Sequence, residues 1–154
     1  MMKPYMGYPA LNGAMAGFAA EASLHALRLI CSGLFDEYPD LKIMLGHLGE
    51  AIPFWLWRMD KHGPNTFDDP KFKKLQRQPS EYFRDNFLVT TSGMLWSPAL
   101  KFVISVLGAD KVLFGTDYPP ESAKDAVDFI KSAPISQANR NKICHSNAER
   151  LLGL

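Results

Sequence analysis

Three short polar turns, each following an apolar run, hold the residues of this 154-residue chain best suited to chemistry. His47 stands between glycines in Gly46-His47-Leu48-Gly49, directly after Lys42–Leu45 (KIML). Thr91 and Ser92 follow Phe87–Thr90 (FLVT), and Thr116 and Asp117 follow Lys111–Phe114 (KVLF). A histidine exchanges protons near neutral pH, from a reference pKa of about 6.5, or binds a metal. A carboxylate at the exit of an apolar strand has few protein partners, so a metal or a substrate proton is the expected counterpart of Asp117. Each residue also has a structural alternative: a histidine satisfied by a carbonyl, an aspartate that starts a turn. His47 and Asp117 form the candidate catalytic pair.

The other candidates are weaker. His25 shares a polar helical stripe with Glu21, Arg28 and Ser32, which suits a solvated face. His62 and His145 fall near helix ends, where a cation complements the macrodipole. Phe54, Trp55 and Trp57 surround Arg58; core packing with an ion pair is the expectation, and a grip on a substrate carboxylate is the alternative. Glu50 and Glu121 could orient the histidine or begin helices. The four histidines make no H-x-H or H-E-x-x-H pattern. No phosphate-binding glycine loop, nucleophile elbow or zinc-finger spacing is present. Two donors fall short of the three protein ligands that zinc takes. The chain alone is therefore expected to hold a divalent metal weakly or not at all.

The elements that must position these turns follow from periodicity. Ala19, Ala22, Ala26, Leu27, Ile30 and Leu34 predict a helix over 18–37, closed by Pro39. Ile52, Leu56 and Met59 predict a second from about Glu50 to His62, with Pro53 in its first turn. Residues 63–79 are a proline-containing loop insertion expected to be solvated, and a short helix precedes FLVT. Ser97-Pro98 is an N-cap with proline at the first helical position; Leu100, Val103, Ile104 and Leu107 form the stripe, and Gly108 ends it. Ser122 caps a helix with Ala126, Phe129 and Ile130 inward, ended by Pro134. Helical segments over 136–145 and 147–152 close the chain. Buried strands alternating with helices imply a parallel sheet with right-handed crossovers. Ligands bind such sheets at the carboxyl ends of strands, so all three polar turns open on one edge.

Composition bounds the rest. Hydrophobic residues make up 47%, aromatics 12% and charged residues 21%, enough for a core and too much for a disordered tail. A net charge of +1 from 17 basic and 16 acidic residues gives no case for nucleic acid or an anionic membrane as partner. Cys31 and Cys144 make neither a disulfide framework nor a C-x-x-C pair, so a reducing, cytoplasmic compartment is expected. Prolines and glycines interrupt residues 1–20, so a signal peptide is not expected, and no stretch is apolar enough to span a bilayer. One domain over 1–154 is expected. A complete eight-fold β/α barrel needs about 250 residues, which this length forbids.

The run LHALRLICSGLFDEYPDLKIMLGHLGEAIPFWLWRMDK resembles the metal-dependent decarboxylase branch of the amidohydrolase superfamily, which includes gamma-resorcylate, carboxyvanillate and aminocarboxymuconate-semialdehyde decarboxylases. FLVTTSG, GADKVLFGTDYPPES and NAERLLGL fit the same pattern in order, from about Gly17 to Leu154. The resemblance implies the C-terminal half of a TIM-type (β/α)8 barrel: an α/β fold of about three parallel strands with covering helices. It implies a lyase that releases carbon dioxide from an aromatic or unsaturated carboxylic acid. His47 would be the active-site histidine after the sixth strand and Asp117 the metal ligand after the eighth, with zinc or manganese as the family metal. Thr91 and Ser92 would line the substrate pocket. The Glu-x-His or His-x-His pair on the family's first strand, and the histidine after its fifth, have no counterpart. The expectation is a partial barrel domain, inactive alone. It would pair with a missing N-terminal half or form a homo-oligomer that covers its open strand edges. A metal-dependent hydrolase on the same fold, or a non-catalytic structural or binding module, are the alternatives.

Overall fold

In chain order the elements are α1 (Gly17–Cys31), α2 (Leu34–Glu37), β1 (Ile43–Leu45), α3 (Ile52–His62), α4 (Pro79–Asn86), β2 (Phe87–Thr90), α5 (Ser97–Leu107), β3 (Val112–Leu113), α6 (Ala123–Ser132), α7 (Gln137–Asn141) and α8 (Asn147–Leu152). They are those of a computed structural model that describes residues 6–64 and 73–154. Of the expected loop over 63–79, residues 65–72 lie outside the described residues. The chain divides into two compact units, one of Lys42–Gly49 with Asn86–Leu154 and one of Met1–Leu41 with Glu50–Asp85.

The first of these holds the sheet. The strands run parallel in the order β1-β2-β3, with Ile43 opposite Phe87, Leu45 opposite Val89, and Thr90 opposite Leu113. Phe87, Leu88 and Val89 are all buried, as a central strand of a parallel sheet requires. β1 departs from expectation. It is an edge strand whose Met44 is 53% exposed, whereas the other edge strand, β3, buries both its residues.

α5 buries Leu100 and Val103, but Trp96 is its N-cap and Ser97 is already helical. Ser122 does cap α6, its Oγ accepting the Asp125 N–H at 3.2 Å, and Ala126 and Ile130 face inward. Ser136 caps α7 in the same way through Asn139. A π-helical turn over Lys142–Ser146 leads into α8. The end of the unit is tied to β3: Phe114 N–H donates to the Ile143 carbonyl at 2.8 Å. Buried Asn147 donates from Nδ2 to the carbonyls of Ala109 and Val112, each at 2.7 Å.

In the other unit the expected 18–37 helix is two helices. Gly33 breaks it in the left-handed region, φ 75° and ψ 18°, where glycine pays no Cβ penalty. Ala26, Ile30, Phe35, Ile52, Leu56, Tyr82 and Phe83 are buried. The Phe35 and Tyr82 rings stack at 6.2 Å, and the Tyr82 hydroxyl donates to the Asp36 carboxylate. Burial and that carboxylate push the Tyr82 phenol up from its ordinary range. The expected core packing of Phe54 and Trp57 is not found; they are 79% and 73% exposed. Ile52, Leu56 and Met59 occupy the inward face of α3 at i, i+4 and i+7, which turns Phe54, Trp57 and Arg58 outward. No described helix is long and apolar enough to cross a membrane.

Candidate functional site

Because the strands are parallel, Leu45, Thr90 and Leu113 leave the sheet on one edge. His47 sits two residues past β1 and Asp117 four residues past β3, the two outer strands. Neighbouring strands are about 4.8 Å apart, so these exits stand about 10 Å apart across β2. The side chains close that gap. His47 Nε2 lies 3.4 Å from Asp117 Oδ2, with the two side chains 35% and 34% exposed. This is slightly longer than a strong N–H···O bond and leaves both groups open to solvent.

The backbone at both residues is strained. His47, Leu48, Glu50 and Asp117 have φ of 49°, 55°, 56° and 66°, and each non-glycine residue in that region costs about 1–2 kcal/mol. The turn after β1 is fastened by Gly49 N–H to the Gly46 carbonyl at 2.8 Å, and the one after β3 by Glu121 N–H to the Asp117 carbonyl at 3.0 Å. Strain of this kind persists where neighbours over-determine it, and it clusters at functional sites.

Thr91 is fully buried. Its Oγ1 donates to the Gly115 carbonyl and accepts the Gly115 N–H, both at 3.0 Å, and its own N–H donates to the Leu113 carbonyl at 3.0 Å. The side chain thus fixes the strand exit two residues before Asp117. Ser92 is half-buried, its Oγ 2.6 Å from Thr90 Oγ1, and the two form a hydroxyl pair at the same edge. Sequence reasoning passed over Thr90, and it read Gly93 (φ 62°) only as part of a turn. The available signal was the position of Thr-Thr-Ser-Gly after what proves to be the middle strand.

Arg58 belongs to the other unit. There it borders a cleft of about 530 Å³ with Leu27, Cys31, Trp55, Met59 and His62. Burial pushes the Cys31 thiol up. Glu50 is half-buried, while Glu121, His25 and His62 are exposed. His145 Nδ1 lies 3.1 Å from Glu149 Oε1 on the surface of α8.

Among the described residues no group of three or more His, Cys, Asp or Glu converges as a metal-binding cluster. His47 and Asp117 offer two donors where a catalytic site takes three protein ligands. The described residues by themselves do not fit a resident metal.

A parallel sheet with a histidine and an aspartate at its carboxyl edge matches the place where β/α barrels carry their active sites. A family model described as Amidohydrolase matches residues 3–154, and the chain belongs to that family. Gamma-resorcylate decarboxylase of Rhodococcus jostii (strain RHA1) is 45% identical over 150 residues, covering 97% of this chain and 45% of that protein. The enzyme of the same name from Rhizobium sp. (strain MTP-10005) is 43% identical, covering 97% and 46%. The crystal structure of 5-carboxyvanillate decarboxylase from Sphingomonas paucimobilis superposes with a TM-score of 0.91 at 44% identity, over 99% of this chain and 45% of that one. A dihydroxybenzoic acid decarboxylase from Polaromonas sp. JS666, solved with bound manganese and the inhibitor 2-nitroresorcinol, gives a TM-score of 0.91 at 42% identity, over 99% and 46%. The chain spans about half the length of the curated relatives it matches. Its fold is that of half a TIM-type barrel, three parallel strands with helices.

Proposed function

We propose that the chain, as one partial barrel domain, supplies half of the active site of a decarboxylase acting on a small aromatic carboxylic acid. The observation that carries this reading is the meeting of His47 Nε2 and Asp117 Oδ2 at 3.4 Å on the sheet's carboxyl edge. Kinship with gamma-resorcylate decarboxylases supports it. In decarboxylation the bond between ring carbon and carboxylate breaks and carbon dioxide leaves. The electron pair stays on the ring carbon, which then takes a proton. Asp117 delivers that proton from Oδ2, and His47 shuttles its replacement through Nε2. Asp117 is also the ligand this half would offer a divalent metal, with the remaining ligands from outside this chain. Manganese is held by the Polaromonas relative, and zinc is the other candidate. Ser92 lines the substrate side, and Thr91 holds the strand exit behind Asp117.

A cytoplasmic setting goes with this reading. Association with a complementary half or a second copy is supported by the exposed Phe54 and Trp57. The two-donor count favours a chain that is silent alone. The test is a chimera in which this chain replaces the matching 45% of the Rhodococcus jostii enzyme. Loaded with manganese, it should turn over 2,6-dihydroxybenzoate, the compound bound in one solved relative, while the chain alone should not. A folded, metal-loaded chimera that releases no carbon dioxide would refute the proposal.

A further inference from the structure

We infer that Gly93 is the positioning residue of the His47–Asp117 pair: the bare backbone at the exit of the central strand lets an imidazole from one flanking strand reach a carboxylate from the other. The two groups come from β1 and β3 and meet above the exit of β2, so whatever follows β2 stands between them. A Cβ at residue 93 would lie 2.4 Å from His47 Cδ2, 2.7 Å from His47 Nε2 and 2.9 Å from Asp117 Oδ2. Comfortable contacts between heavy atoms are about 3.5–4.0 Å. One methyl group would therefore collide with both partners at once.

All three atoms are at the far ends of side chains with free torsions. The fold can survive the methyl by swinging the ring or the carboxylate aside. What it loses is their meeting. The glycines at the other two exits differ: a Cβ at Gly46 or Gly115 comes no closer than 3.3 Å to its neighbours, the Ser92 and Thr90 side chains. Among the three strand exits, the severe exclusion falls on residue 93. Its φ of 62° adds a separate preference for glycine, which a test has to separate from the collision. The positional claim stands on geometry; its consequence for turnover rests on the function proposed above.

Gly93→Ala in the full chain is compared with Gly108→Ala, which has φ 84° and open space around its Cβ and so carries backbone strain without collision. Nuclear magnetic resonance reads the nuclear Overhauser contact between the His47 ring and residue 93, and the χ1 couplings of His47 and Asp117. Thermal melting reads stability. Gly93→Ala should change the χ1 couplings of His47, Asp117 or both, while Gly108→Ala, strained at φ 84° and ψ 151°, lowers the melting point and leaves those couplings alone. A folded Gly93→Ala protein with both sets of couplings and the ring contact unchanged overturns the inference. If Gly93→Ala does not fold, adding His47→Ala should restore folding by removing the ring; no restoration also overturns it. Displacement of the pair with undiminished turnover in the Gly93→Ala chimera would uphold the positional claim and remove the pair from the chemistry.

Discussion

Replacing Thr91 by valine keeps the shape of the side chain and deletes one hydroxyl. That hydroxyl makes two hydrogen bonds to Gly115, one to its carbonyl and one from its N–H, each 3.0 Å. A net hydrogen bond contributes about 0.5–1.5 kcal/mol, and a buried group left without its partner costs about 1–3 kcal/mol. Gly115 is half-buried, so water replaces part of what is lost; a total of roughly 2–3 kcal/mol follows from those ranges. At about 2–4 °C per kcal/mol for a chain of this size, the melting point should fall by roughly 4–12 °C. Thr91→Ser keeps the hydroxyl and removes a methyl, costing about 1 kcal/mol. Circular dichroism melts of the three proteins decide the matter. The order should be wild type, then serine, then valine. A valine variant as stable as the serine variant would refute the clamp. Because Gly115 lies two residues before Asp117, the valine variant should also lower turnover in the chimera.

Asn147→Leu removes the two 2.7 Å hydrogen bonds that a buried amide donates and the one its Oδ1 accepts from Arg150 at 3.2 Å, and should cost about 2–4 kcal/mol, read by urea unfolding. Iodoacetamide should alkylate exposed Cys144 well before Cys31 at pH 8, since burial raises the Cys31 thiol and lowers its thiolate fraction; mass spectrometry of partly labelled chain checks this. Lys142 holds the Asp110 carboxyl below the usual range. The stability this pair gives is complete above the unfolded carboxyl pKa, about 3.9. It is lost as pH falls through the lower folded value. Lys142→Met should therefore be less stable than wild type above about pH 4 and converge with it in acid, as urea unfolding at a series of pH values checks.

The strand-then-helix alternation and the three polar strand exits were legible because period and punctuation are local properties. The face taken by α3 was less so. Phe54, Trp55 and Trp57 look like core by type, and only the i, i+4, i+7 run of Ile52, Leu56 and Met59 shows which side is inward. The break at Gly33 was hidden because the apolar stripe continues across it. Thr91 shows another limit: its residue type fits a pocket, but alternation along the strand turns it into the sheet while Thr90 and Ser92 share the other side. Gly93 could be given a role only once the strand order set β2 between the exits of β1 and β3. The donors that would complete a metal site have no motif in the sequence and no cluster among the described residues.

The most direct measurement is a kinetic double-mutant cycle in the chimera, with His47→Asn, Asp117→Asn and both together, following carbon dioxide release from 2,6-dihydroxybenzoate. Each single change should lower kcat by about 10²–10⁴-fold. Two groups that act as one unit lose little more when both are removed, so the double variant should fall no further than the worse single one. Multiplying losses would show that the two residues act independently. Unchanged rates would show that the meeting of His47 and Asp117 is not where the chemistry happens.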